Sequence, residues 1–256
     1  MGTIGIGRQR KDWDELAAFN AEWAVLSEPE TRFGHWDTER FFATGDEQIE
    51  KTMRVATELG LPKARRSVLD FGCGVGRLSR ALGREFERYV GVDISSGMIA
   101  RARELSGGEG NRSFVVNEAP DLSRFESGQF DMVVSFLVLQ HISDRDQIRA
   151  YLAEFARVLA PGGLIAFQIP DRLPLIYRLS WRRRVYRVIR ALGVSVERAH
   201  RLRLQNMSMQ ALPGSEVRAV FESAGCEVVR ADSGRATFDD KPLGAGVDID
   251  YYVTKS

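Results

Sequence analysis

Cysteine and histidine are scarce in this 256-residue chain: Cys73 and Cys226, then His35, His141 and His200. No C-x-x-C or H-E-x-x-H spacing occurs. A structural zinc site needs a fuller set of Cys and His ligands, so metal chemistry is set aside. No disulfide framework is readable either. Long apolar runs are also missing. No stretch of about 18 apolar residues is present, so no membrane span is expected. Residues 1–14 lack the apolar run of a secretory signal. The reducing cytoplasm is therefore the expected location. Charge of one sign is lacking too: 36 Lys plus Arg stand against 35 Asp plus Glu. This balance argues against a general nucleic-acid binder, while leaving room for a local basic patch. The rest of the composition, 44% hydrophobic and 28% charged, is that of an ordinary globular protein. The length fits one large domain, or one domain with additions.

Patterning orders the chain. Residues 1–10 are expected to fray. Residues 11–60 hold Trp13, Phe19, Trp23, Phe33, Trp36, Phe41 and Phe42, and read as two or three helices with a turn around Glu28-Pro29. Gly60-Leu61-Pro62 is a helix stop. From Ser67 the rhythm becomes strand, helix, strand. Apolar runs at 68–71, 89–94, 113–116, 130–136 and 164–169 alternate with helical segments. Ser95 or Ser96 can cap the helix that carries Met98, Ile99 and Ala102. Ser143 with Asp146 has capping-box spacing before a helix whose apolar residues run Ile148, Tyr151, Leu152, Phe155, Val158, Leu159. Residues 171–212 interrupt the alternation. A helix at 215–224 and strands at 227–231 and 250–255 resume it. Such alternation predicts a three-layer α/β domain with a mainly parallel sheet.

The stretch from Asp70 to Arg77 places Gly72, Gly74 and Gly76 between a strand and a helix. In a doubly wound sheet that turn lies at the carboxyl end of a strand, where ligands bind. The spacing is G-x-G-x-G. A dinucleotide fingerprint needs its third glycine at position 77, which is Arg77, and a P-loop needs a Lys-Ser or Lys-Thr that is absent. Asp93 ends the next strand, 23 residues after Asp70. A carboxylate there can accept hydrogen bonds from a ribose hydroxyl pair. Together these features point to a nucleoside ligand without a pyrophosphate.

Val68-Leu69-Asp70-Phe71-Gly72-Cys73-Gly74-Val75-Gly76 resembles motif I of class I S-adenosylmethionine-dependent methyltransferases. Gly91 to Ser95, Asn117-Glu118-Ala119, Phe130 to Ser135 with Leu139 to Ile142, and Arg157 to Gly163 resemble the later motifs of that family, in order. The resemblance covers about residues 60–170 strongly and 215–256 weakly. It implies a Rossmann-like, doubly wound sheet of seven strands, the last antiparallel, with an N-terminal helical addition over 1–60. The catalytic domain would span 61–256, with a helical cap after strand five at about 171–212. It also implies S-adenosyl-L-methionine as cofactor. Asp70 and the backbone of Gly72, Cys73, Gly74 and Gly76 would hold the methionine end, and Asp93 the ribose. Ile94 and Met98 would flank the adenine, Asn117, Glu118 and Ala119 would border it, and Ser135 and Gln140 would close the pocket near the methionine. Cys73 reads as a small loop residue, since no neighbouring His or Lys favours a thiolate.

A general base is needed only for an alcohol or a protonated amine. His141 is the favoured candidate, with His35 and His200 behind it. The aromatics Trp36, Phe41 and Phe42, with Thr44 and Gly45, either wall the pocket or pack helices onto the sheet. Arg172, Arg178, Arg182, Arg183, Arg184, Arg187, Arg190, Arg198, Arg201 and Arg203 share their span with a single acid, Glu197. That excess suits an anionic small-molecule acceptor, an acidic membrane surface or, less well, RNA. It also suits a helix face balanced by acids elsewhere. The expected enzyme methylates a small molecule on oxygen or nitrogen, a glycan, a lipid-linked intermediate or a secondary metabolite. The alternatives are an RNA or protein methyltransferase docking through the arginines, and a non-catalytic binder of the same cofactor.

Overall fold

The computed structural model describes residues 2–33, 36–108, 110–173, 181–202, 204, 206–207, 209–235 and 247–255. His35, Arg178 and Arg203 lie outside these. Seven strands form one sheet: β1 (Ser67–Phe71), β2 (Arg88–Asp93), β3 (Arg112–Val116), β4 (Phe130–Ser135), β5 (Leu159–Arg172), β6 (Cys226–Arg235) and β7 (Val247–Lys255). Their order is β3-β2-β1-β4-β5-β7-β6. All neighbours are parallel except at β7, which runs antiparallel to β5 and to β6. The expected seven-stranded sheet with an antiparallel last strand is what forms.

Every residue of β1 and β4 is buried, as central parallel strands with both faces covered require. Alternate residues serve opposite faces. Leu69, Val133 and Ile165 join the layer of α5 (Arg145–Val158) and α8 (Gly214–Ser223), through Ile148, Leu152, Phe155, Val217 and Phe221. Val68, Met132, Val134 and Leu164 face α2 (Thr38–Leu59), α3 (Ser79–Glu85) and α4 (Ser96–Ser106), through Ile49, Met53, Leu82 and Ile99. The chain builds β1, β2 and β3 outward, then returns to place β4 on the far side of β1. The switch in direction opens a crevice at the carboxyl ends of β1 and β4.

Several local expectations change. Ser95 does cap α4, accepting from the Met98 N–H at 3.1 Å. Asp144, not Ser143, caps α5, its carboxylate accepting from the Asp146 N–H at 3.0 Å. A negative charge beside the free N–H groups of a helix start explains the choice. The helix ends at Val158, before Pro161-Gly162-Gly163, and the chain enters the sheet at once: Leu159 pairs with Phe130 and Leu164 with Met132, and the residues between bulge out. β5 is therefore longer than the apolar run 164–169 suggests.

The N-terminus is helical from Gly2 rather than frayed, forming α1 (Gly2–Val25). Asn20 breaks α1 with extended backbone (φ −167°, ψ 96°). Its side-chain oxygen accepts from the Trp23 N–H at 3.0 Å, starting the second helical piece. α1 is anchored from within: Leu16, Ala21, Trp23 and Ala24 are buried with Trp36, Phe41, Phe42, Val75 and Met98. Two short helices, α6 (Trp181–Ala191) and α7 (Val196–Arg201), pack against it. Arg183 pairs with Asp12 at 3.3 Å and Arg190 with Glu15 at 2.5 Å. The Tyr186 hydroxyl donates to Glu15 at 2.9 Å. Part of the arginine excess is thus neutralised by acids of α1.

Candidate active site

The loop after β1 has the shape its glycines allow. Gly72, Gly74 and Gly76 all take positive φ (75°, 53° and 81°). A β-carbon at 72 would come within 2.4 Å of Val138, and one at 74 within 2.5 Å of Val25. The loop is tied down by its neighbour strand, Gly72 and Cys73 N–H groups donating to the Val92 carbonyl at 2.8 and 3.0 Å.

Asp93 closes the arrangement. One carboxylate oxygen accepts from the Gly74 N–H at 3.0 Å, the other from the Ser95 N–H at 2.8 Å. Burial pushes its carboxyl up to about 6, against the pull of the Ser95, Gly74 and Ile94 backbone N–H groups. Two carboxylate oxygens hold about four lone-pair sites, so acceptor capacity remains for ligand hydroxyls.

A cavity of about 80 Å³ opens here. Gly72, Gly74, Asp93, Ile94, Met98 and Asn117 line it, and all six are residues the sequence points to. Asn117 is held by its backbone N–H to Asp93 at 2.8 Å and by its side-chain amide to the Asp121 carbonyl at 2.9 Å.

The other expected residues lie off this cavity. Asp70 is 2% exposed and accepts from the Tyr89 hydroxyl at 2.8 Å. Burial raises its carboxyl to about 7, although Tyr89 and Arg77 pull it down. The thiol of Cys73 is buried and pushed well above its ordinary value by burial, then by Asp70 and Asp93, so it is no nucleophile. Gly76 packs toward Phe114. The Ser135 hydroxyl is fully buried and donates to the Phe71 carbonyl at 3.1 Å, bracing β4 on β1. Gln140 is 6% exposed, and its carbonyl accepts from the Gln210 N–H at 2.7 Å. Glu118 pairs with Arg10 of α1 at 2.7 Å, and the Ala119 carbonyl accepts from the Tyr151 hydroxyl at 3.3 Å.

His141 lines a second, much smaller cavity of about 10 Å³, about the room of one water, with Asp12, Ser143, Arg183 and Asn206. Its ring meets Trp13 edge-on at 5.5 Å. Gln9 and Trp13 line both cavities, so they form the partition between them. His200 is elsewhere, fully buried and stacked on Phe19 at 4.6 Å, which removes it as a base. Both of its nitrogens lack hydrogen-bond partners, and burial with the nearby Arg32 pulls it down to about 4. His35 lies outside the described residues.

Sequence reasoning missed most of the apolar wall: Val25, Phe136, Leu137, Val138, Ile142 and Tyr151. Tyr151 read only as helix core, yet its hydroxyl in an otherwise apolar stripe was a signal. Leu137 carries the one positive φ of a non-glycine residue among the described residues (63°), a strained backbone at the mouth of β4. Nothing in its side chain announces that.

The loop, the acidic strand end and the crevice define a nucleoside-binding α/β domain of the class I methyltransferase type. Residues 69–167 match the methyltransferase-domain family, and this chain carries a class I S-adenosylmethionine-dependent methyltransferase domain. Tocopherol O-methyltransferase of Arabidopsis thaliana is 35% identical over 46% of this chain and 34% of its own length. Ubiquinone biosynthesis O-methyltransferase of Xanthomonas oryzae is 32% identical over 49% of this chain and 51% of its own. The chain spans about half or less of the length of these curated relatives. In fold it is similar to magnesium protoporphyrin IX methyltransferase of Synechocystis, solved with bound SAH (TM-score 0.63, 16% identity, 98% of this chain and 100% of that one). A Leishmania major S-adenosylmethionine-dependent methyltransferase is similar in the same way (TM-score 0.62, 14% identity, 98% and 83%).

Proposed function

We propose that the protein transfers a methyl group from S-adenosylmethionine to an oxygen or nitrogen of a small molecule. The observation that carries this reading is the cavity that joins the glycine loop and Asp93 to an apolar wall of Phe136, Ile142, Tyr151 and Trp13. When bound, the cofactor supplies both the electrophilic methyl and its leaving group, so the chain's task is to bind, orient and exclude water. Asp93 is assigned the ribose hydroxyls. The Gly72–Gly76 backbone takes the methionine end, with Asp70 holding the loop. Ile94 and Met98 flank the adenine, and Asn117, Glu118 and Ala119 border it. Residues 1–60 form a lid over the 61–256 domain, with Trp13 and Gln9 at its inner surface.

His141 is the candidate base. It lies beyond Trp13, which separates it from the cavity lined by Asp93. The relatives named for tocopherol and ubiquinone favour oxygen, and a glycan, lipid-linked intermediate or secondary metabolite remains the acceptor class. The segment from Arg172 to Arg203 faces an anionic or lipid-like partner. Two unpaired cysteines suit the reducing cytoplasm.

Incubation with methyl-tritiated S-adenosylmethionine and a panel of phenols, sugars and amines tests the assignment. Label should enter organic-extractable small molecules. Label found only in acid-precipitable RNA or protein contradicts it and supports macromolecular methylation instead. With a true acceptor in hand, His141→Ala retaining most of the turnover would remove His141 as base.

A further inference from the structure

The arginine-rich helix α6 presents two different faces. Toward α1 it turns Arg183, Tyr186 and Arg190, all engaged with Asp12 or Glu15. Away from α1 it turns Val185, Val188 and Leu192, which are 39%, 59% and 78% exposed. Their spacing of three and four places them on one stripe of the helix. Leu202, just past α7, is 65% exposed. Among the described residues these are four of the five large exposed hydrophobics, so the exposure is concentrated rather than scattered.

The stripe is flanked by charge. On the helical wheel Arg184 borders it on one side and Arg182 on the other, and Arg187 lies further round, between the stripe and the side facing α1. Arg184 and Arg187 are exposed, and neither forms an ion pair with a described acid. Burial, then the like charges of Arg183, Arg8 and Arg184, pull Arg187 below its ordinary value, and Asp12 offsets this in part. The outward face therefore combines aliphatic side chains with the guanidinium groups of Arg184 and Arg187, which form no ion pair with a described acid.

We propose that this face docks on an anionic lipid surface, with Val185, Val188 and Leu192 entering the headgroup boundary and Arg184 and Arg187 meeting lipid phosphates. Other occupants fit less well. A second copy would bring the same arginines face to face, because a two-fold interface repeats one patch on both sides. RNA would satisfy the arginines but gain nothing from exposed aliphatic side chains, and the stripe has no aromatic ring for base stacking. Interfacial helices pair an apolar face with flanking basic residues in this way. α6 is one helix removed from the cavity, since α1 carries both its inner contacts and the cavity-lining Gln9 and Trp13. That the docked protein takes its acceptor from the lipid surface rests on the methyltransferase reading; the docking itself does not.

Co-sedimentation with phosphatidylcholine vesicles, with and without phosphatidylglycerol, tests the docking. The full chain should bind the phosphatidylglycerol vesicles at least about tenfold more tightly, and sodium chloride should weaken that binding. Val188→Asp with Leu192→Asp should abolish it, and Arg184→Glu should weaken it severalfold. Calorimetry with S-adenosylhomocysteine on each variant reports folding and the cofactor site separately. Unchanged cofactor binding with lost vesicle binding supports the proposal. Equal binding to both vesicle types, full vesicle binding by the aspartate variant, or a lipid-free dimer that this variant dissolves overturns it. Loss of cofactor binding by the unaltered chain would instead overturn the methyltransferase reading and leave the docking result standing.

Discussion

The loops at the carboxyl ends of β1 and β2 and the helices that cover them meet in one cavity but are specified differently. In the loops, backbone geometry dictates residue type. Positive φ at Gly72, Gly74 and Gly76, and two N–H groups converging on Asp93, leave few substitutes. In the cover, Trp13, Val25 and His200 are defined by what they pack against, and other apolar residues could do the same work. Loop changes should therefore abolish binding, and cover changes should tune it.

Asp93→Ala carries the largest expected effect. It removes charge-assisted hydrogen bonds worth about 1.5–3 kcal/mol each, so affinity for S-adenosylhomocysteine should fall about 100-fold or more in calorimetry, with circular dichroism unchanged. Near-normal affinity would erase the distinction between the two regions. The pH dependence comes next. With its carboxyl near 6, Asp93 is ionised at neutral pH, and affinity should fall about tenfold per unit below pH 6. Raised carboxyl values at Asp70 and Asp93 also mean that these two groups bind more protons in the folded free protein than in the unfolded chain. The contribution of these two groups to stability should thus decline as pH rises from about 4 to 7, opposed over the same range by His200.

On the cover side, Trp13→Ala should weaken cofactor binding by about tenfold or less, a loss of the order of 1 kcal/mol from half-buried apolar surface. A loss matching that of Asp93→Ala would make α1 part of the primary site. The smallest effect belongs to His200→Phe. His200 is held near 4, below its ordinary 6.5, so its contribution is present above pH 6.5 and lost as pH falls toward 4. Phenylalanine leaves no unpaired nitrogens, so melting temperature at pH 7 should hold or rise, and that acid-side loss should shrink.

The same contrast explains what was legible. The strand-helix alternation, the glycine loop and Asp93 followed from local patterns, because periodicity and turn chemistry are local properties, while the antiparallel β7 was implied only by the family resemblance. Local pattern does not decide the orientation of Ser135: a strand-end serine can face a ligand or the neighbouring strand, and its hydroxyl bonds the Phe71 carbonyl. Ser143 lost the cap to Asp144 over a difference of one residue. The helical N-terminus and the partition by Gln9 and Trp13 were hidden because they depend on long-range partners such as Glu118, Ser95 and Arg183. Ser95, for instance, donates to Asp14 of α1 at 2.6 Å, a link between residues 81 positions apart. The arginine segment was legible as an excess of charge. Only the fold revealed which arginines α1 neutralises.

The central claim is that the loop and Asp93 form an S-adenosyl site rather than a dinucleotide site. Titration calorimetry of the full chain with S-adenosylmethionine, S-adenosylhomocysteine and NAD tests it most directly. Saturable binding of both S-adenosyl compounds, lost in Asp93→Ala, with no binding of NAD, is the predicted result. Tight NAD binding with no S-adenosyl binding would contradict it.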